Sequence, residues 1–549
     1  MRAITTVLFT VATLVTAVPV ALSAGVLPIS IDPSVSQWTI SPYLVGLHQV
    51  YFNVPDAEFV DGRISAWAKR VGVSTSRYPG GGVVKTWDWE NPSGFSGNDP
   101  YAPNYDPSQN VDESEWMSLD EYLDFVDESG IMPMFGVNSL SGTLYDREAD
   151  SIARAVRMVQ YVKDRGHGGA LWYIGNEEAY QHGGMAEYAG VLARHAEAMK
   201  GVDSDIRIFW NQNNALEANI DEFLANDGGW IDGLETHGKW PFGGDPGLPV
   251  ATFEEWVVEV PLRDRKNGTA AEIAAGGRAW REASNNYRSI ATGAGRSILV
   301  ANNEYGLGKS QYYSGFNRYT KGLALTEMLM EHFIGNWFSA CLWDLENGTD
   351  RGVLDKANDY RFNPVHYGMN MLADCQGGEY LGTVATSIPS VHGFAARRDG
   401  IIFLYLLNKT SEAHPVEINF PSAGNFTGIG RRMQDSADRY GELVHIDLEE
   451  STSGFLSNLP SLTFTQFAFV DLNKGTYPAL IDISQKADES FNFRWSSIPG
   501  ARFELERSTN LQNWTPTGEF IYPDNTWTES CVPIDPQNNT FYRVLFRNE

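Results

Sequence analysis

The chain has 549 residues, with 41 Lys and Arg against 69 Asp and Glu, a formal charge of −28. So acidic a balance works against nucleic acid or an anionic membrane as partner and suits a soluble protein. Three cysteines, Cys341, Cys375 and Cys531, are too few for a disulfide framework and lack the spacing of a zinc set. Buried free thiols are expected, with a Cys341–Cys375 bridge as the alternative.

In chain order, Met1 and Arg2 lead into an apolar stretch that closes on the small residues of "ALSAG". This reads as a signal peptide over 1–24, cleaved near Ser23 or Ala24, so the mature protein is expected to be secreted or periplasmic with no membrane span. From about 40 to 375, eight short apolar runs alternate with segments of helical period. The runs are "YLVGLH", "VSTSRY", "IMPMFGVN", "ALWYIGN", "IRIFWNQ", "IDGLETH", "SILVANNE" and "WFSACLWD". Among the segments between them, "SLDEYLDFVDESG" opens on a capping box of Ser118 and Glu121, and "DSIARAVRMVQYVKDRG" places Ile152, Val156, Val159 and Val162 on one stripe. Eight such units predict an α/β fold, a closed (β/α)8 TIM barrel over 25–378, whose N-terminal segment could pack with a β-sandwich on its C-terminal side.

Long stretches after strands 2 and 6, residues 79–117 and 238–270, are expected to shape a groove. The glycines of "YPGGGVV" lack the Lys-Ser/Thr of a phosphate loop, and the Asp/Asn-rich 97–116 lacks EF-hand spacing. Helical period then disappears. Residues 379–474 read as that antiparallel β-sandwich, and 475–549 as a small immunoglobulin- or fibronectin-like β module, either a tether or a cap.

Each barrel strand ends on a polar or aromatic residue: His48, Arg77, Asn138, Asn176 with Glu177, Asn211, His237, Glu304 and Trp343. Strand ends of a barrel converge on one mouth, where active sites are built. Glu177 and Glu304 can therefore supply the two carboxyl groups that retaining glycoside hydrolysis needs, an acid/base and a nucleophile. Arg77 is expected to pair with Glu304 and keep it ionised. Trp87, Trp89, Trp240 and Trp343 are candidate stacking platforms for sugar rings, and His48, Asn138 and His237 candidate substrate contacts. Glu235, Asp344 and Glu346 read as supporting carboxylates, Glu178 as a charge at a helix start, and Asp88 and Glu90 as either solvated or substrate-facing.

"YIGNEE" resembles the Gly-Asn-Glu signature of the clan A retaining glycoside hydrolases, whose nucleophile is a glutamate ending strand 7. The resemblance implies Glu177 as acid/base, Glu304 as nucleophile and Asn176 as donor to a sugar 2-hydroxyl. "SRYPGGGVVKTWDWEN" and "MFGVNSLSGT" look like loops of α-L-arabinofuranosidases, with Gly82 where those often carry Asn. "THGKWPFGG" looks more like the β-agarase and β-porphyranase branch. The expected partner is a polysaccharide or oligosaccharide, first an algal galactan and second an arabinofuranoside-bearing glycan. No cofactor or metal is needed for this chemistry. A non-hydrolytic carbohydrate-binding protein is the alternative from another class. Linkage, anomer, endo or exo action and oligomeric state are not legible in the sequence.

Overall fold

A computed structural model describes residues 25–51, 53, 61–90, 99–106, 108, 117–179, 181–212, 217–238, 240, 251–264, 271–272, 275, 277–307, 313–346, 351–421, 424–471, 480–485, 490–497, 502–508, 512–521, 527–533 and 541–547. The leader expected over 1–24 lies outside these residues, as does most of the Asp/Asn-rich stretch and much of the loop after strand 6. Among the described residues, no helix is long and apolar enough to cross a membrane.

Eight parallel strands close into a barrel: Tyr43–His48, Thr75–Tyr78, Met132–Val137, Leu171–Ile174, Arg207–Gln212, Gly233–Thr236, Leu299–Tyr305 and Ser339–Leu342. Each lies within one of the eight apolar runs or overshoots it by a single residue. Their near-continuous burial is what a parallel sheet covered on both faces demands. The barrel interior is filled by Met134, Leu171, Tyr173, Phe209 and Ala301. Two strand glycines make room for its large rings: a Cβ on Gly136 would stand 2.3 Å from Tyr173, and one on Gly233 2.4 Å from Phe209.

The helix Leu119–Ser129 starts at the capping box of Ser118 and Glu121 and stops at Gly130 in the left-handed region (φ 73°). In Glu148–Asp164 the buried stripe runs through Ser151, Ala155, Met158, Val159 and Val162. Ile152 and Val156 are only half-buried, so the expected stripe is rotated by one residue. The small Ser151 and Ala155 face inward, which apolarity alone would not select.

Behind the barrel, a seven-stranded sheet (Trp38–Thr39, Glu379–Ala385, Val391–Arg398, Ile401–Asn408, Thr463–Asp471, Phe426–Gln434, Glu442–Ile446) faces a four-stranded sheet. Leu404, Leu406, Val416, Ile418, Phe467 and Phe469 form the core between them. The chain's start belongs here, because Leu27–Ser30 pairs in parallel with His414–Asn419, and Trp38 stacks on Tyr380 at 4.0 Å. The other face of the large sheet packs on helix Arg318–Ile334, buried at every position from Tyr319 to Ile334. Tyr319 Oη donates across this junction to the carbonyls of Met433 (3.1 Å) and Leu462 (2.7 Å). The described strands from 480 onward form two three-stranded antiparallel sheets. Cys341 and Cys375 are buried free thiols, and burial pushes the Cys375 thiol up to about 12.

Candidate active site

Strand 4 delivers its carboxylate through a tight exit. Gly175 (φ 67°) and Glu177 (φ 56°) both take left-handed backbone, which at Glu177 costs on the order of 1 kcal/mol. A side chain at 175 would collide with Glu178, whose Oε2 would lie 2.2 Å from the added Cβ. Asn211, at the end of strand 5, holds the turn: its Oδ1 accepts the Glu177 N–H, and its Nδ2 donates to Gly175 O at 2.7 Å. Glu178, expected as a charge at a helix start, lies ahead of the helix Met185–Val202 and does not open it. It is fully buried, accepting from Asn176 N (2.8 Å) and Ser139 Oγ (3.0 Å) and lying 3.2 Å from His182 Nε2.

Glu177 and Glu304 converge on the same opening. One carboxylate oxygen of each, with a ring nitrogen of His237, lie within 4.8 Å of one another. The Glu177 side chain is 24% exposed and that of Glu304 7%. Arg77, fully buried, binds three strand ends at once: Glu304 Oε1 at 3.1 Å, Glu235 Oε1 at 2.7 Å and Asn176 Oδ1 at 2.9 Å. Its guanidinium lies 3.9 Å over the Tyr173 ring. Burial opposes the charge of Arg77, but Glu235, Tyr173 and Glu304 outweigh it and hold the group more firmly protonated. The Arg77 bond fixes the Asn176 amide, turning its NH2 end away from the guanidinium.

His237 sits between carboxylates, Nδ1 2.7 Å from Glu177 Oε1 and 3.7 Å from Glu304 Oε2, Nε2 3.0 Å from Glu235 Oε1. Burial alone would lower its pKa, but Glu304, Glu177 and Glu235 together raise it. His48 is fully buried, with Nδ1 3.1 Å from Asn303 O and its ring edge-on to Trp343 at 4.3 Å. Burial and the neighbouring Arg77 hold it well below the usual histidine pKa, so a neutral imidazole backs Trp343 rather than reaching into the opening.

Of the four tryptophans, half-buried Trp343 is the one placed beside Glu304; a Cβ on Gly81 would meet both Glu304 Oε1 (2.6 Å) and Trp343 Cζ3 (3.1 Å). Trp87 is 4% exposed and packs edge-on to Tyr78, and Trp240 is fully buried with its N–H on Glu259 at 3.0 Å. Both are core side chains and offer no stacking platform. Trp89 packs against Tyr161 and donates to Arg154 O. Asp88 and Glu90 are structural ties, Asp88 to Arg154 (2.5 Å) and Tyr105 (2.5 Å), Glu90 to Arg154 and Arg157. Asn138 is buried and commits its Oδ1 to Ser141, a local cap. Asp344 is buried and accepts from Asn53 (3.1 Å), and Trp343–Asp344 is a cis peptide.

Sequence reasoning missed the roles of Asn211, Tyr173 and Gly81. Asn211 was legible as a polar strand end. The others carry no local signal, because their roles depend on neighbours from other strands.

Two sets of three carboxylate and imidazole groups among the described residues could hold an ion: Glu177, His237 and Glu304, and Glu327, Glu331 and His392. In each, a protein cation already touches a carboxylate, Arg77 on Glu304 at 3.1 Å and Lys409 on Glu327 at 3.0 Å.

No protein-family model matches the sequence. Two curated relatives are similar over part of their length, both named intracellular exo-α-(1→5)-L-arabinofuranosidase. The one from Bifidobacterium longum is 30% identical over 152 residues, 26% of this chain and 26% of the relative. The one from Streptomyces lividans is 26% identical over 206 residues, 33% of this chain and 31% of the relative. The chain thus matches about a quarter to a third of the length of these relatives. Similar solved structures include AbfB, a family 51 α-L-arabinofuranosidase from Bifidobacterium longum (15% identity, TM-score 0.59), α-L-arabinofuranosidase from Thermotoga maritima (16%, 0.58) and a Paenibacillus polymyxa xyloglucanase of family 44 (14%, 0.54). Each match covers 81% of this chain and 100% of the neighbour. At these identities the likeness establishes a shared fold, the barrel that the resemblance to clan A retaining glycoside hydrolases implied.

Proposed function

We propose that this chain is a retaining glycoside hydrolase with Glu304 as nucleophile and Glu177 as acid/base. The observation that carries this is the approach of the two carboxylates to within 4.8 Å. Retaining enzymes place them about 5–5.5 Å apart, whereas inverting enzymes need about 6.5–9.5 Å to admit a water. Arg77 at 3.1 Å holds the Glu304 carboxylate in place, and the recessed position of that carboxylate suits attack on an anomeric carbon above it. The more open Glu177 donates its proton to the leaving oxygen, then takes one from water as that water displaces Glu304 from the sugar.

The substrate reading is an α-L-arabinofuranoside, supported by the names of both curated relatives. The galactan reading rests on the β-sandwich behind the barrel and on "THGKWPFGG", whose Trp240 is buried and whose following residues lie outside those described. Gly82, where arabinofuranosidases often carry Asn, has nothing within 4 Å of its Cβ position, so a substrate group has room there. Export remains part of the proposal, through the leader over 1–24.

The test is sugar release from arabinan, arabinoxylan, agarose and porphyran, with the first-formed anomer followed by NMR. Retained configuration is expected; an inverted first product, or binding of these glycans with no release, would overturn the reading.

Gly81→Ala supplies a local check. Its methyl group would stand 2.6 Å from Glu304 Oε1, so the carboxylate must swing off Arg77. A misplacement of about 1 Å costs on the order of 10²-fold, so kcat per folded protein is expected to fall by at least about tenfold. Parent-like kcat would show that the contact does not position Glu304.

A further inference from the structure

Glu235 is fully buried near the end of strand 6, two residues before His237, and its carboxylate meets Arg77, His237 and Asn303. Its Oε1 lies 2.7 Å from Arg77 Nε and 3.0 Å from His237 Nε2, and its Oε2 accepts from Asn303 Nδ2 at 3.3 Å. Asn303 is itself held by Ser339, whose Oγ donates to Asn303 Oδ1 at 2.8 Å. The guanidinium and the imidazole together hold Glu235 ionised against its burial.

The count of protons is set by this geometry. Both ring nitrogens of His237 face carboxylate oxygens within hydrogen-bond distance, 3.0 Å to Glu235 and 2.7 Å to Glu177. A neutral imidazole has one N–H and cannot donate to both. With Glu235 ionised beside Arg77, the Nε2 position carries a proton and donates it there. A single proton then lies in the 2.7 Å contact between His237 Nδ1 and Glu177 Oε1, on one partner or the other. The remaining charged neighbours do not disturb this count. Glu304 lies 3.7 Å from Nδ1 and is paired with Arg77, His48 is buried and neutral, and Asp264 sits against Gly238, 2.6 Å from where a Cβ would be.

We propose that Glu235 is a positioning residue that locks His237 with its proton on Nε2, so that the proton Glu177 delivers is held jointly by Glu177 Oε1 and His237 Nδ1. The inference rests on the reading of Glu177 as the acid. As Glu304 bonds to the anomeric carbon and the bond to the leaving oxygen breaks, the shared proton passes through Glu177 Oε1 to that oxygen. In the second step a water oxygen bonds to the same carbon, the bond to Glu304 breaks, and the water's proton restores the pair. The arrangement shares the logic of a buried carboxylate orienting a histidine in a hydrolase triad, here with a carboxylic acid in place of a hydroxyl.

The experiment is Glu235→Gln, read by the pH profile of kcat/KM and by NMR titration of the His237 ring nitrogens. Removing the charge at Nε2 disfavours the protonated pair, so the alkaline limb is expected to move to lower pH by about one unit, a tenfold change in the pair's proton affinity. His237 should lose its single tautomer over the same range. Glu235→Asp keeps the charge and guards against a simple folding defect; it is expected to return the limb most of the way to the parent position. A uniform loss of rate across pH, with the His237 titration unchanged, would overturn the proposal. If the parent hydrolyses no glycoside, the functional reading fails by itself, while the ring-nitrogen titration still decides whether Glu235 sets the state of His237.

Discussion

Replacing Glu304 with Ala is expected to lower glycoside hydrolysis by roughly 10⁴-fold or more while the protein stays folded, since removing the nucleophile of a hydrolase leaves only residual rate from binding and electrostatics. The fold should survive because Arg77 keeps Glu235 at 2.7 Å and Asn176 at 2.9 Å, so no buried charge is left alone. Glu177→Ala should behave differently. General acid help is worth about 10²–10⁴-fold, and a phenolate of low pKa needs little of it, so activated aryl glycosides should lose least. Azide separates the two roles further. In Glu304→Ala it can occupy the vacated carboxylate's place and attack once, giving a glycosyl azide of inverted configuration. In Glu177→Ala it intercepts the glycosyl-enzyme, giving retention. Both variants yielding the same azide anomer would sink the assignment, as would parent-level turnover by Glu304→Ala.

Why these two glutamates could be found from sequence is a matter of contrast. A strand buried on both faces is apolar throughout, so "LWYIGNEE" and "ILVANNEY" each mark their end by an abrupt change of chemistry, and the barrel topology turns that change into a direction. Trp87 and Trp240 show where the same reasoning stops. An aromatic ring suits a sugar face and a core equally, and only the neighbours, Tyr78 for one and Phe316 for the other, decide. Glu178 failed for a related reason, and the partners that make Glu235 a supporting carboxylate were equally hidden. Burial of a carboxylate is tolerated only where partners from other strands meet it, and the partners Ser139, Arg77 and Asn303 lie far off in sequence. That the N-terminal segment could pack with the sandwich was legible, but its pairing partner was not: the joining of Leu27–Ser30 to His414–Asn419 is long-range, and the alternating pattern of the first strand names no strand to join.

The junction of barrel and sandwich carries the largest expected effect on stability. Lys409 succeeds the sandwich strand Ile401–Asn408 and is fully buried. Its ammonium donates to Trp256 O (2.7 Å), Glu259 O (2.9 Å) and Glu327 Oε1 (3.0 Å). Glu327, on helix Arg318–Ile334, also accepts from Trp256 Nε1 at 2.7 Å and lies 3.2 Å from His392 Nε2. One turn on, Glu331 is paired with Arg281. Two fully buried carboxylates thus each meet a cation, and Lys409→Met would take from Glu327 its lysine and leave it only His392. Removing one member of such a pair costs about 3–5 kcal/mol, against near neutrality when both are made uncharged. Lys409→Met is therefore expected to destabilise by that amount at pH 7 in chemical denaturation. Adding Glu327→Gln should recover at least about 1 kcal/mol. The sign with pH is fixed by Glu327: burial alone would raise its pKa, but Lys409 and His392 outweigh it and depress it. Its contribution is present above the unfolded carboxylate range and is lost as pH falls through the folded value, so the gap between parent and Lys409→Met should narrow on acidification. A gap of equal size at neutral and acid pH would mean that Lys409 acts by filling space, and a Lys409→Met protein as stable as its parent would mean that the two carbonyls and Glu327 find other donors.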